Sequence, residues 1–166
     1  LGDSLSRILS KCSYVIEKEY YINDSGNQIE NLGRSVFLRY QQVAGYEVEF
    51  PDDLYRGSYI LNLAKEIFEK DGDLYFHKEE SEVVKIFGKR AGEVIINEIK
   101  KDLKSFNVEF DNWFSEQSLF DDNEVPASLE KLRDAKGVYE RDGALWLKSS
   151  DFDDEKDRVL VRKDGR

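Results

Sequence analysis

The residues Val84, Phe87, Ala91, Ile95, Ile99, Leu103 and Phe106 form an apolar series whose steps average about 3.7 residues, close to the α-helical period. Such a stripe predicts one long helix from about Glu79, with an apolar face that must be covered. Two other segments offer cover. Ile29, Leu32, Val36, Tyr40 and Val43 recur at steps of three and four, predicting a helix over residues 27–43 closed by Gly45. Ile60, Leu63, Ala64, Ile67 and Phe68 predict another, ended by Asp71-Gly72-Asp73. The last of these and the long helix are expected to pack as an antiparallel pair. Leu1, Leu5, Ile8, Leu9 and Cys12 also share a helical face, with Asp3 or Ser4 placed to accept hydrogen bonds from the first free amides.

Elsewhere the period shortens. Residues 15–22 are rich in Tyr, Val and Ile and run into Asn23-Asp24-Ser25-Gly26-Asn27, which reads as a strand followed by a turn. Residues 45–57, containing Pro51, show no sustained period and are expected to cross the core irregularly through Tyr46 and Phe50. From Asn107, Val108, Phe110 and Phe114 alternate with Glu109, Asp111 and Trp113, as in a half-buried strand. Pro126 suits the first turn of a short helix through Leu129 and Leu132, ended by Gly137. Residues 138–141 and 144–147 flank Asp142-Gly143, a pair that supplies the positive φ of a tight hairpin. Val159-Leu160-Val161 reads as a last short strand. No internal repeat or low-complexity linker interrupts the pattern.

A length of 166 residues suits about one domain, and a formal net charge of -10 argues against a protein that coats nucleic acid, since that affinity rests on Lys and Arg neutralising phosphates. Any RNA contact is therefore expected to be local. Cys12 is the single cysteine, so no disulfide can form within the chain, and a lone thiol on an apolar helical face reads as a small hydrophobe. No apolar run approaches the roughly 20 residues needed to span a bilayer, and no signal sequence is visible. A reduced, cytoplasmic setting without membrane attachment is expected. Methionine is absent, so Leu1 is not expected to be a natural start.

The turn from Asn23 to Gln28 lies where a strand passes into a helix, the position at which open α/β sheets bind small ligands. It is the leading site candidate, although Asp, Ser, Gly and Asn are equally the residues of any helix-capping turn. Asp151, Asp153, Asp154, Glu155 and Asp157 invite a calcium reading, but Lys156 and Asp157 stand where an EF-hand loop needs other residues. Ion pairing with Lys156 and Arg158 on a solvated turn is expected instead. His77 is the single histidine, which leaves neither a His-based metal constellation nor a Ser-His-Asp triad. No phosphate-cradling Gly-rich loop is present. Trp113, Phe114, Tyr139 and Trp146 could stack on single-stranded RNA, yet aromatics alternating on strands more often form cross-strand pairs. No catalytic residue and no metal ligand is assigned.

Tyr20-Tyr21-Ile22-Asn23-Asp24-Ser25-Gly26-Asn27-Gln28, Asp111-Asn112-Trp113-Phe114-Ser115-Glu116, Tyr139-Glu140-Arg141-Asp142-Gly143-Ala144-Leu145-Trp146-Leu147 and Asp154-Glu155-Lys156-Asp157-Arg158-Val159-Leu160-Val161, in that order and spacing, resemble bacterial arginyl-tRNA synthetase. The resemblance spans essentially the whole chain. It implies an α/β fold (α+β in the insertion), part of a class I synthetase nucleotide-binding sheet split by a helical insertion with a small antiparallel sheet. Residues 1–43 would be a partial Rossmann-like segment, 44–149 the connective insertion and 150–166 the return to the catalytic sheet, so that the strands at 15–22 and 159–161 would be neighbours. The implied substrates are arginine and ATP with magnesium, and the implied partner is the acceptor end of tRNA. Asn23, Asp24, Gly26 and Gln28 would bind substrate: Asp24 would face its ammonium, Asn23 and Gln28 would hydrogen-bond it or its surroundings, and Gly26 would permit close backbone approach. The family's His-x-Gly-His signature falls before Leu1 and its arginine-reading residues after Gly165. The isolated chain is therefore expected to be inactive in adenylation, to need no cofactor, and to be able to self-associate through the strand edge at 15–22. The alternatives are a non-catalytic α+β interaction module whose acidic surface meets a basic partner, and a calcium-binding module.

Overall fold

A computed structural model describes residues Leu1–Gly165. Its contacts divide the chain into two compact units, residues 1–117 and 118–166.

The first unit is built on three helices, α2 (Asn27–Val43), α3 (Ser58–Asp71) and α4 (Glu80–Ser105). The predicted stripes face one another: Val36, Tyr40, Ile60, Ala64, Val83 and Phe87 are wholly buried. The pairing, however, differs from the expected antiparallel α3–α4 couple, because α2 is the helix on which both others chiefly pack. Two glycines supply the reason. A Cβ on Gly33 of α2 would lie 1.9 Å from the Val84 carbonyl oxygen, and one on Gly88 of α4 would lie 2.6 Å from that of Ile29. The two backbones approach that closely only because neither residue has a side chain. Val83 rather than Val84 is the fully buried residue at the start of the α4 stripe, and Phe106, beyond the helix end, is exposed.

Tyr40 sits at the centre, ringed by Phe68, Tyr75, Phe76 and Phe87, and its hydroxyl donates to the Gly72 carbonyl. Edge-to-face packing of this kind suits the aromatic quadrupole. The irregular stretch 45–57 crosses α2 as expected, held by Leu54, which is buried, and by Ser35. The buried Ser35 hydroxyl donates to the Asn31 carbonyl (2.6 Å) and accepts from the Tyr55 amide (3.0 Å). Phe50 lies under the Arg39 guanidinium, 4.5 Å from it.

Helix α1 (Gly2–Lys11) precedes this core and has no side-chain cap at its N-terminus. Asp3 binds Arg7 (2.6 Å) and Lys18 (3.4 Å) instead. The strand expected over 15–22 is regular only at β1 (Glu19–Ile22), and that expected from Asn107 only at β2 (Asn112–Ser115). The two run parallel, with Tyr20 opposite Trp113 and Tyr21 opposite Phe114. A parallel pair requires a long crossover, here supplied by the helical core. It begins where Lys18 and Asp111 exchange hydrogen bonds, the Lys18 amide donating to the Asp111 carboxylate and the Asp111 amide to the Lys18 carbonyl, each at 2.8 Å.

The second unit contains α6 (Glu124–Asp134) and an antiparallel sheet of β3 (Val138–Arg141), β4 (Ala144–Leu147) and β5 (Arg158–Val161), in that order. The short helix α5 (Glu116–Asp121), unforeseen in the sequence, follows β2 directly. Asp142 and Gly143 both have positive φ, 54° and 77°, and make the predicted tight turn. Tyr139 and Trp146 face each other across it with near-parallel rings. β5 pairs with β4, which corrects the expectation that the strand at 159–161 is the neighbour of the one at 15–22; β1 has β2 as its partner.

Candidate functional site

Parallel strands send their carboxyl ends to the same edge, and the loops there meet. The β1 loop, residues 23–26, thus faces the β2–α5 junction, residues 115–117. Gly26, at the N-cap of α2, has φ 71°, a value side chains other than glycine adopt at a cost. The space where its Cβ would stand is open, so glycine is required here by the turn.

No side chain of this turn caps α2. Asp24 and Ser25 reach across to the second strand instead. One Asp24 carboxylate oxygen accepts from the Ser115 hydroxyl (2.6 Å) and the other from the Gln117 amide (2.9 Å). The Ser25 hydroxyl donates to the Glu116 carboxylate (2.7 Å). Partial desolvation raises the pKa of the Tyr21 hydroxyl, and its hydrogen bond to Glu116 raises it further. Asn23 donates to the Gln28 side-chain carbonyl at 3.4 Å, and both amides are exposed. Of the four residues singled out in the sequence, Asn23, Asp24 and Gly26 lie on one loop and Gln28 in the first turn of α2, with Asp24 half-buried. Each carboxylate oxygen has two acceptor positions, so Asp24 keeps acceptor capacity beyond its two bonds. Chemically the arrangement offers oriented acceptors and two exposed carboxamides at a sheet edge, suited to a polar, cationic small molecule.

Ser115, Glu116 and Gln117 were missed as members of this site. Their signal is positional: Ser115 ends β2, and Glu116 and Gln117 follow it as Asn23 and Asp24 follow β1, which becomes legible once the two strands are known to be parallel.

The remaining candidates are occupied structurally. Trp113 stacks on Tyr20 at 4.6 Å and Phe114 on Tyr21 at 6.1 Å, so both are cross-strand partners. In the acidic run, Arg158 grips both oxygens of Asp154 (2.6 and 2.7 Å) and holds its carboxyl down to about 2. Asp157 accepts from the Ser150 hydroxyl and amide and from the Tyr139 hydroxyl, which lower its pKa. His77 lies exposed, 3.7 Å from Asp73. Among the described residues no three His, Cys, Asp or Glu side chains converge as a metal would require. No helix among them is long and apolar enough to cross a membrane.

Comparison with known proteins gives the arrangement a context. No protein-family profile matches the chain. Arginine–tRNA ligase of Syntrophotalea carbinolica is 43% identical to it, over 99% of this chain and 30% of that protein. The Listeria monocytogenes ligase is 47% identical over the same shares. The chain spans about 30% of the length of the curated relatives it matches. A crystal structure from Campylobacter jejuni, assigned as an arginyl-tRNA synthetase, superposes with a TM-score of 0.83 at 40% identity, covering 99% of this chain and 36% of that one. Plasmodium falciparum arginyl-tRNA synthetase shares the fold, with a TM-score of 0.61 at 14% identity over 99% of this chain and 27% of that one. The chain is thus related, over nearly its whole length, to one segment of the bacterial arginine–tRNA ligases.

Proposed function

We propose that this chain is part of the catalytic domain of an arginine–tRNA ligase, which activates arginine with ATP and transfers it to tRNA in the cytoplasm. The observation that carries the reading is 43–47% identity across 99% of the chain, together with a parallel strand pair whose carboxyl edge holds Asn23, Asp24, Gly26 and Gln28. In this reading Asp24 faces the substrate ammonium, and Asn23 and Gln28 hydrogen-bond the substrate or its surroundings. Aminoacylation by such a site draws on positioning and electrostatic stabilisation more than on a nucleophilic side chain. Magnesium, when present, would accompany the ATP phosphates and keep much of its own water.

Residues 1–43 belong in this reading to the nucleotide-binding part and 44–149 to the connective insertion that helps place the tRNA acceptor end, except that β2 pairs with β1 and so goes with the former, while β5 pairs with β4 and so goes with the latter. With His77 as its single histidine the chain holds no His-x-Gly-His signature, and in this reading these 166 residues alone do not adenylate. A two-stranded sheet leaves each strand one unpaired edge, so isolated copies self-associate through β1. Arginine-dependent ATP–pyrophosphate exchange, measured for the complete protein carrying this segment and for the 166-residue chain alone, tests the reading. Exchange by the former and none by the latter is expected. No exchange by the complete protein would overturn the function, and exchange by the chain alone would overturn the division of labour.

A further inference from the structure

We infer that Ser115 and Glu116 are positioning residues that set the geometry of the 23–28 loop from the neighbouring strand. The inference rests on the reading of that loop as substrate-facing. Asp24 and Ser25 have the chemistry to cap α2, the helix they precede, yet no side chain caps it. Their bonds go to residues 91 positions away in sequence, Asp24 to Ser115 and Ser25 to Glu116. The loop's conformation is therefore fixed from β2 rather than from its own helix. One further contact tightens the arrangement: the Gln117 amide holds the second Asp24 oxygen.

Neither Ser115 nor Glu116 belongs to the buried core of the first unit, so the burial that stabilises the helices does not depend on them. What they control is the direction of the Asp24 carboxylate. A displacement of one ångström in a positioned group is enough to cost catalysis heavily.

The test uses the complete ligase that carries this segment, with steady-state aminoacylation and exchange kinetics for Ser115→Ala, Glu116→Ala, Asp24→Ala and the Asp24→Ala/Ser115→Ala double variant. Ser115→Ala is expected to raise the KM for arginine by about fivefold or more while leaving the KM for tRNA and the thermal midpoint unchanged, the pattern of lost ground-state positioning. On the Asp24→Ala background it should add nothing, since residues acting through one contact are not additive. Ser115→Thr and Glu116→Gln keep a donor and an acceptor respectively and should restore most of the affinity. Wild-type ligase activity with arginine KM unmoved in Ser115→Ala and Glu116→Ala, or additivity with Asp24→Ala, would overturn the inference alone. A parallel loss for arginine and tRNA with a lowered thermal midpoint would reduce both residues to structural supports and overturn it too. An absence of arginine-dependent exchange in the wild-type protein would instead overturn the functional reading on which it stands.

Discussion

Gly33 and Gly92 are both helical glycines facing a neighbouring helix, yet they carry opposite expectations. A methyl group at Gly33 meets the Val84 carbonyl at 1.9 Å, with Val84 C and Gly88 N within 2.9 Å. All three are backbone atoms, so the helices themselves must separate. Gly33→Ala is expected to destabilise the first unit by about 3 kcal/mol, at the upper end of ordinary overpacking. At Gly92 the new methyl meets one atom, Ile29 Cδ1, at an ordinary 3.6 Å. Gly92→Ala should be neutral or stabilising by up to ~1 kcal/mol, through helix propensity. Urea unfolding midpoints of the two variants measure the contrast, and equal effects would contradict this packing. A second residue-scale expectation concerns acid. Arg158, by hydrogen bonding, lowers the Asp154 carboxyl from 3.8 to about 2. The folded value lies below the unfolded one, so the pair's stabilisation is complete above 3.8 and is lost as pH falls towards about 2. Asp154→Asn should remove that part of the acid sensitivity, seen as a flatter thermal midpoint between those pH values; an unchanged slope would show that the pair contributes nothing. At this scale the sequence singled out Asp24 but left helix capping and ligand binding both open, because Asn-Asp-Ser-Gly-Asn suits either. That Asp24 bonds Ser115 and Gln117 instead of capping α2 follows from the strand pairing, a non-local fact.

Among the elements, legibility followed periodicity. Helices α2, α3 and α4 were readable because stripes of Ile, Leu, Val and Phe repeat over many turns, and α2 begins and ends at the expected residues, Asn27 and Val43. The β3–β4 hairpin was readable because Asp142-Gly143 specifies its own turn. Gly143, at φ 77°, makes a direct prediction: Gly143→Ala should cost about 1–2 kcal/mol, the usual penalty for a left-handed L-residue. Hydrogen exchange should locate the loss in the β3 and β4 amides, leaving α2–α4 protected; uniform loss would contradict a local turn. What escaped the sequence was partnership. Residues 138–147 carry their pairing within a few positions, whereas β1 and β2 meet across the entire helical core, and no period in either announces a parallel neighbour. The α2–α4 packing escaped similarly, since Gly33 and Gly88 are visible as glycines but their contact is tertiary. Helix α5 is six residues long, too short for a stripe to accumulate.

Across the whole molecule, apolar burial is unevenly spread. The first unit has a continuous buried cluster running through Val36, Tyr40, Ile60, Ile67, Val83 and Phe87. In residues 118–165 Leu145 and Ser149 are the buried residues described, and Phe120, Phe152 and Val159 are exposed. Burying apolar surface contributes about 25 cal/mol per Å², while ordering each residue costs roughly 1–2 kcal/mol of backbone entropy whatever it buries. A segment that orders a sheet and a helix around so few buried side chains is expected to sit near the low end of local stability. The polar ties around Asp157, from Tyr139 and Ser150, orient these side chains but add little stability where water competes for the same groups. Native-state hydrogen exchange of the 166-residue chain should therefore resolve two levels. Amides of α2, α3 and α4 should exchange only through global unfolding, while those of β3, β4 and β5 open at a free energy lower by about 2 kcal/mol or more. If the amides of both units exchanged with one common free energy, their stabilities would have to be coupled, and the uneven burial would not govern how the chain opens.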